Sequence, residues 1–454
     1  MKKFLLLFLF TNLIYSQCWR TVEAKHSYHC IGIQTDGTLW TWGFNGSGQL
    51  GDNTLINKEE PIQIGAATNW KSVSSSFNNS FAIKTTGTLW SWGKNDEGQL
   101  GIGNTVSKTV PTQIGIQSTW ATISAGYNYT LAIKTNGTLW AWGSNSGGRL
   151  GNGTVIDQLQ PIQIGTANNW AKVEAGSVNS FAIKLDGTLW SWGGSLNGSD
   201  SSNTNFPAQV GTSTWTDISS NYLHAIGLKT NGTIWAWGSN SSGELGRGNN
   251  LNNANNYIAT QIGTATNWKA IAAGENHSMA LKTNGTLWSW GENDYGQYGN
   301  NTTGVSFVPL QIGTLTNWKS ISSGYSFSIG SKTNNDRVWT WGRDNQDALG
   351  NGVDGNSSIP VGLETCTTLL NIDFIELANY FKIYPNPVKE ELSIETILDI
   401  EIQEIKIIDV LGKIVSRQNT DFNKIDLQNL ENGIYILSIL TNENQTFQSK
   451  IIKN

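Results

Sequence analysis

Side chains suited to acid–base, nucleophilic or metal chemistry are scarce in this sequence. Among 454 residues there are four histidines (His26, His29, His224 and His277) and three cysteines (Cys18, Cys30 and Cys366). No two cysteines have zinc-ligand spacing. When the chain is aligned on its recurring tryptophan hairpins, His29, Asn79, Tyr129, Asn179, His224, His277 and Phe327 share one position. Amides and aromatics replace histidine there, so a structural role is expected rather than ligation or proton transfer. Glu23 and Glu174 occupy a strand position that holds Ser or Ala in the other repeats. Two carboxylates could serve a glycosidase, but only if the first and fourth repeats bring them within reach. Gly48 and Gly51, in "WGFNGSGQLG", recur in later repeats with no helix following and no fixed lysine, so they are expected to turn a return loop rather than cradle phosphate. The expectation is a protein without catalysis, cofactor or metal, with a carbohydrate-active enzyme as the lesser alternative.

Binding has more material. Seven short loops vary while their flanks do not: "HSYH" at 26–29, "FNN" at 77–79, "YNY" at 127–129, "SVN" at 177–179, "YLH" at 222–224, "ENH" at 275–277 and "YSF" at 325–327. The candidate ligand-binding residues are Phe77, Asn78, Tyr127, Asn128, Val178, Tyr222, Leu223, Glu275, Asn276 and Tyr325. Aromatics beside amides suit protein hot spots and sugar platforms alike. The alternative is that these aromatics only plug a channel mouth.

The elements that position these loops repeat. Paired tryptophans stand at Trp40 and Trp42, Trp90 and Trp92, Trp140 and Trp142, Trp190 and Trp192, Trp235 and Trp237, Trp288 and Trp290, and Trp339 and Trp341. A lone tryptophan opens each unit, and together these account for all 21 in the chain. Within a unit, "WATIS" alternates as a half-buried strand does, "LAIKTNGTLWAWG" reads as an Asn-Gly hairpin, and "PIQIG" reads as a fourth, proline-led strand. The residue between paired tryptophans is always Thr, Ser or Ala, which leaves room for the indoles of one sheet to pack on its neighbour. Repeated four-stranded antiparallel sheets predict an all-β, seven-bladed β-propeller over 17–363, with units near 18–69, 70–119, 120–169, 170–214, 215–267, 268–317 and 318–363. The last fourth strand is shortened to "IPVG", so the N-terminal "CWRTVEA" is expected to share the final blade. That would place Cys18 near Cys366 for a closing disulfide, and leave Cys30 as a buried thiol without chemistry.

Residues 1–16 read as a secretory signal peptide: two lysines, an apolar run from Phe4, and Ser16 before the cut. Gln17 before Cys18 argues against a lipoprotein. A net charge of −5 excludes a nucleic-acid partner held by bulk electrostatics. After a linker at 364–380, tryptophan vanishes, and residues 381–454 alternate as strands in "EIQEIKIIDVLGKIV" and "GIYILSIL", predicting a small Ig-like β-sandwich.

The repeat "W-x-x-[IV]-x-x-G … G-x-[LI]-W-x-W-G-x-N-x-x-G-x-L-G" resembles that of the regulator of chromosome condensation family. This implies a seven-bladed propeller. The nucleotide-exchange activity of the nuclear members is not implied, because their insertion and basic tails have no counterpart here. Secreted relatives that inhibit β-lactamase imply a protein-binding loop face. "YPNPV" at 384–388, "IIDVLGKIV" at 407–415, "IDLQNLENGIYIL" at 425–437 and "KIIK" at 450–453 resemble the C-terminal sorting domain of type IX secretion in Bacteroidetes. This implies engagement with that machinery, and release or attachment at the cell surface. The expected molecule is an exported, monomeric module that binds an extracellular protein, with a glycan as the second choice.

Overall fold

The computed structural model describes residues 19–194, 198, 204–249, 254–333, 337–363, 381–396, 401–409, 413–441 and 446–454. The leader at 1–16, the linker at 364–380, Cys18, Cys366 and the disulfide expected between them lie outside these residues. The chain divides into two compact units, one spanning Gln17–Thr367 and the other containing Thr368–Asn454.

In the first repeat, β1 (Trp19–Glu23), β2 (His29–Gln34), β3 (Leu39–Gly43) and β4 (Lys58–Gln63) pair antiparallel in chain order. The β2–β3 turn is made by Asp36 and Gly37. Asp36 Oδ1 accepts the Thr38 N–H at 2.9 Å, and Gly37 has φ of 84°. A Cβ on Gly37 would lie 2.0 Å from the Thr68 carbonyl oxygen, so the turn needs glycine for clearance as well as for φ. That clearance lets the Trp70 N–H donate to the Gly37 carbonyl at 3.1 Å, handing the chain to the next repeat.

Separate four-stranded sheets begin again at Trp70, Trp120, Trp268 and Trp318. The fourth and fifth repeats merge into one seven-stranded sheet, because Thr204–Ser220 runs unbroken as the outer strand of one and the inner strand of the other. The chain ends do not share a blade, contrary to the sequence expectation. Strand β1 pairs with β2, and the last repeat has its own outer strand, Ser357–Gly362, paired with Val338–Gly342. Each repeat already carries four strands, so none is left to exchange. The ring closes through side chains and loops instead: Ala24 N–H donates to Ser322 Oγ at 3.2 Å, and Tyr325 N–H to the Ser27 carbonyl at 3.0 Å.

Adjacent sheets join indole face to aliphatic face. Trp70, Trp92 and Val73 of the second repeat pack on Ile31, Ile33 and Leu39 of the first. The second tryptophan of every pair is fully buried. In the second, third, fourth, sixth and seventh repeats its Nε1 donates to a carbonyl of the preceding repeat, as Trp92 does to Gln49 at 2.8 Å and Trp142 to Gln99 at 2.9 Å, whereas Trp42 Nε1 at the closing seam has no partner among the described residues. Gly51 lies beneath Trp92, where a Cβ would come within 2.7 Å of Nε1. The first tryptophan of each pair is half-buried at the edge of the interface. Trp140 there meets Trp120 edge-on at 5.9 Å and lies under Lys134 Nζ, 3.4 Å from its centroid.

The C-terminal unit has a three-stranded sheet (Phe381–Tyr384, Glu391–Thr396, Lys424–Asp426) and a four-stranded one (Ile402–Asp409, Ile414–Gln418, Gly433–Thr441, Thr446–Lys453). Alternating residues from both, including Leu392, Ile394, Ile405, Leu437 and Ile451, form its core.

Candidate functional site

The predicted loops are anchored alike. Asn78, Asn128, Val178, Leu223 and Asn276 each turn a carbonyl onto the N–H that follows Trp-x-Trp-Gly, at 2.8–2.9 Å. Two of the amide side chains are also engaged in holding the loops: Asn128 Nδ2 donates to Glu97 Oε1 at 2.8 Å, and Asn276 Nδ2 to Glu292 Oε2 at 2.9 Å. Asn78 Oδ1 lies 3.5 Å from Gln49 Nε2. These residues shape the face more than they present it.

The residues one position earlier do project. Phe77 lies 5.3 Å from Tyr127 and 6.4 Å from Tyr325 between ring centroids. Tyr28, which the sequence reading did not single out, completes the row at 5.9 Å from Phe77 and 4.7 Å from Tyr325. Glu275 ends it. Its N–H donates to the Tyr325 carbonyl at 3.1 Å, and its carboxyl is hydrogen-bonded to the Tyr325 side chain. Burial, with the field of Glu292, pushes the Glu275 pKa up to about 7. Tyr222 and Leu223 are exposed but apart from this row; Val178 is half-buried, and its repeat carries Ser177 where the row has aromatics.

The signal for Tyr28 is a one-residue insertion: His29 stands ten positions after Trp19, whereas Asn79 stands nine after Trp70. The extra residue folds Lys25 and His26 over the axis. His26 adopts φ of 51°, is buried, and brings Nε2 to 3.3 Å from the Ala175 carbonyl of the fourth repeat. Burial and the neighbouring Lys25 lower its pKa to about 3, so it is neutral. Lys25 Nζ reaches Glu174 Oε2 at 2.8 Å and Ser124 Oγ at 2.8 Å.

Glu23 and Glu174 are therefore brought together around one ammonium. Burial raises both carboxyls, Glu23 to about 7, while Lys25 opposes the rise. Both also perform a serine's task. Glu23 Oε1 accepts the Ser75 N–H at 3.4 Å and Glu174 Oε1 accepts that of Ser220 at 2.8 Å. In the same way Ser74 accepts from Ala125, Ser124 from Ala175, Ser219 from Ala273 and Ser322 from Ala24. One side chain per repeat thus caps the next repeat's backbone around the axis, interrupted only at Ala272 among these positions.

The aligned histidines are inter-repeat ties. His29, His224 and His277 bring Nε2 to 2.8–3.0 Å from Ser80, Ser278 and Ser328 Oγ. Those hydroxyls donate onward to the Gln49, Glu244 and Gln297 carbonyls, so Nε2 carries the proton. Burial lowers the pKa of all three. Cys30 stands where Ser80 does and is fully buried, its Sγ 3.5 Å from the equivalent carbonyl of Ala348.

These repeating ties mark one kind of repeat. The family model for the regulator of chromosome condensation (RCC1) repeat matches residues 36–83, 86–133, 136–183, 231–281 and 284–330, more than half the chain. The chain belongs to the RCC1 repeat family. A second RCC1 repeat model matches 70–99, 120–149, 215–244 and 268–297. The RCC1 propeller is followed by a secretion system C-terminal sorting domain, matched at 382–454, which marks the protein for type IX export to the surface or the extracellular space. Human WBSCR16 is a similar solved structure, with a TM-score of 0.65 at 18% identity over 72% of this chain and 93% of that one. Prp20p from Saccharomyces cerevisiae has a TM-score of 0.66 at 21% identity over 76% and 89%; its structure was reported with its binding to Gsp1p and histones. At these identities the likeness is one of fold. Ulvan lyase NLR42 from Nonlabens ulvanivorans is 32% identical over 91 residues, 19% of this chain and only 17% of that protein. No helix among the described residues is long and apolar enough to cross a membrane.

Proposed function

We propose that this RCC1-repeat protein is an exported, non-catalytic binding module that recognises an extracellular protein through its aromatic loop face. The observation that carries the reading is the continuous row Tyr127–Phe77–Tyr28–Tyr325, contributed by four separate loops on a rigid ring. Tyrosine and phenylalanine on a fixed scaffold supply contact area at little entropic cost. A glycan platform is less favoured. The rings are mutually tilted by 34–64°, so they offer edges rather than a shared flat face, and the Asn128 and Asn276 amides are already engaged.

One observation favours a second reading, a carbohydrate-active enzyme: Glu23 and Glu174 converge on Lys25. Their structural hydrogen bonds favour the binding module. The test uses the full chain as bait against proteins from its natural environment, followed by measurement of the captured partner's affinity. Alanine at Tyr28, Phe77, Tyr127 and Tyr325 together should weaken it by about a hundredfold with the fold intact. Unchanged affinity, or capture of glycans and no protein, overturns the proposal. Polysaccharide turnover that is lost in Glu23→Gln or Glu174→Gln replaces it with the enzyme.

A further inference from the structure

Glu275 carries the only charge at a loop position held in the other repeats by Phe, Tyr or Ser. The backbone fixes its place. Its N–H donates to the Tyr325 carbonyl at 3.1 Å, and the Tyr325 N–H donates in turn to the Ser27 carbonyl at 3.0 Å. The sixth, seventh and first loops are thus tied in series. The acid stands at the end of the aromatic row, beside Tyr325 and Tyr28, whose ring centroids are 4.7 Å apart.

The charges around it do not balance. Glu292, on the loop after the sixth tryptophan pair, and Arg343, after the seventh, both act on Glu275, and the Glu292 repulsion is the larger. Glu292 is held by its own surroundings, accepting from Gln297 Nε2 at 3.2 Å and Asn276 Nδ2 at 2.9 Å. Arg343 lies with its Cζ 4.5 Å from the centroid of the Tyr295 ring, and among the described residues no cation forms an ion pair with Glu275. His224, which bonds the Glu275 backbone, is buried and held neutral. The other facing groups, Tyr28, Tyr295 and Tyr325, bring no positive charge. Burial and Glu292 both penalise the Glu275 carboxylate, while the other repeats build this loop without one. A half-buried acid kept at such a cost marks a place where charge is used.

We infer that the partner of the aromatic loop face, on the reading proposed above, presents a basic segment, one lysine or arginine of which lays its stem along Tyr28 and Tyr325 and its charge against Glu275. The fit covers the whole side chain. Tilted rings suit an aliphatic stem, which buries against them while the charged head reaches a polar group. Ring and carboxylate both attract that head. The chain makes a like arrangement internally, where Lys134 Nζ lies 3.4 Å from the Trp140 centroid and donates to Gln117 Oε1.

The test titrates the full chain by calorimetry with end-blocked trilysine, triarginine, triglutamate and Gly-Ser-Gly. Trilysine and triarginine should bind, more weakly as salt rises; triglutamate and Gly-Ser-Gly should not. Glu275 holds its proton up to about pH 7, so affinity should rise about fivefold between pH 6 and pH 8, with a proton released on binding. Glu275→Gln should bind at both pH values as the parent does at pH 6, with a urea midpoint no lower than the parent's. Triglutamate binding as well as triarginine, no heat at about 10 mM triarginine, or an affinity unmoved by Glu275→Gln each overturns the inference. The protein captured by the full chain separates this inference from the reading it rests on. If alanine at Tyr28, Phe77, Tyr127 and Tyr325 abolishes its binding but Glu275→Gln at pH 8 does not weaken it, the basic segment is overturned and the protein-binding face stands. Retention by the alanine variant overturns the face itself.

Discussion

Replacing Glu23 by glutamine tests the axial cluster directly. The Glu23 carboxyl is driven from an ordinary 4.5 to about 7, first by burial, with Glu174 adding to the rise and Lys25, Ser74 and Ser75 opposing it. The folded chain therefore holds this proton in a window where the unfolded chain has released it. Stability must fall as pH rises from about 4.5 to about 7, at up to about 1.4 kcal/mol per pH unit. Above that window the ionised carboxylate costs about 3 kcal/mol relative to its protonated form. Glutamine keeps the shape and can still accept the Ser75 N–H and the Ser74 hydroxyl, the contacts Glu23 makes at 3.4 and 3.1 Å. It has no charge to desolvate. Glu23→Gln should thus match the parent near pH 4.5 and be more stable by about 2–3 kcal/mol near pH 8. Urea unfolding followed by tryptophan fluorescence at both pH values measures this. Burial also raises Glu174 and Glu275, so the variant should retain part of the parent's pH slope. A Glu23→Gln protein no more stable than its parent at pH 8 would refute the reasoning, because Lys25 would then hold Glu23 ionised at no cost.

Other substitutions probe the ties between repeats. Trp142→Phe removes a buried indole and its bond to the Gln99 carbonyl, which keeps only the Thr130 hydroxyl; urea midpoints should report a loss of about 2–4 kcal/mol. Cys30→Ser converts a long thiol contact at the closing seam into the hydroxyl bond found at Ser80. It should gain about 0.5–1 kcal/mol, and a lower midpoint would contradict the seam described. His277→Phe imitates Phe327 at the equivalent position and leaves Ser328 bonded to the Gln297 carbonyl. It should cost no more than about 1 kcal/mol, against about 2–3 kcal/mol for His277→Ala.

The fold was readable because its evidence is periodic. Tryptophan spacing, Asn-Gly turns and a small residue between indoles each report a local requirement that every repeat must meet, and the sheets follow them. The mode of ring closure was not readable, since "IPVG" looks like a truncated strand in the sequence, whereas Ser357–Gly362 forms an outer strand as long as Lys58–Gln63 of the first repeat. The loop face was half readable. Aromatic residues in register across repeats predict a cluster, but whether an asparagine points outward or braces its own loop depends on partners such as Glu97 and Glu292, which lie 31 and 16 positions away.

The axial cluster could not be read from any single repeat, because its members meet across the ring: His26 contacts Ala175 at a separation of 149 residues. What the sequence did contain was departure from symmetry. Glu23 and Glu174 replace serine, and Lys25 and His26 sit beside the one inserted residue. A backbone cap needs one acceptor, which serine supplies in four of the repeats. Glutamate supplies that acceptor and a second oxygen, which in Glu174 binds the Lys25 ammonium delivered by the insertion. Desolvation penalises both acids, so capping alone does not account for them. In a ring of near-identical parts, the places where a cheaper residue would serve the fold equally well are where selection for something other than the fold has left its mark.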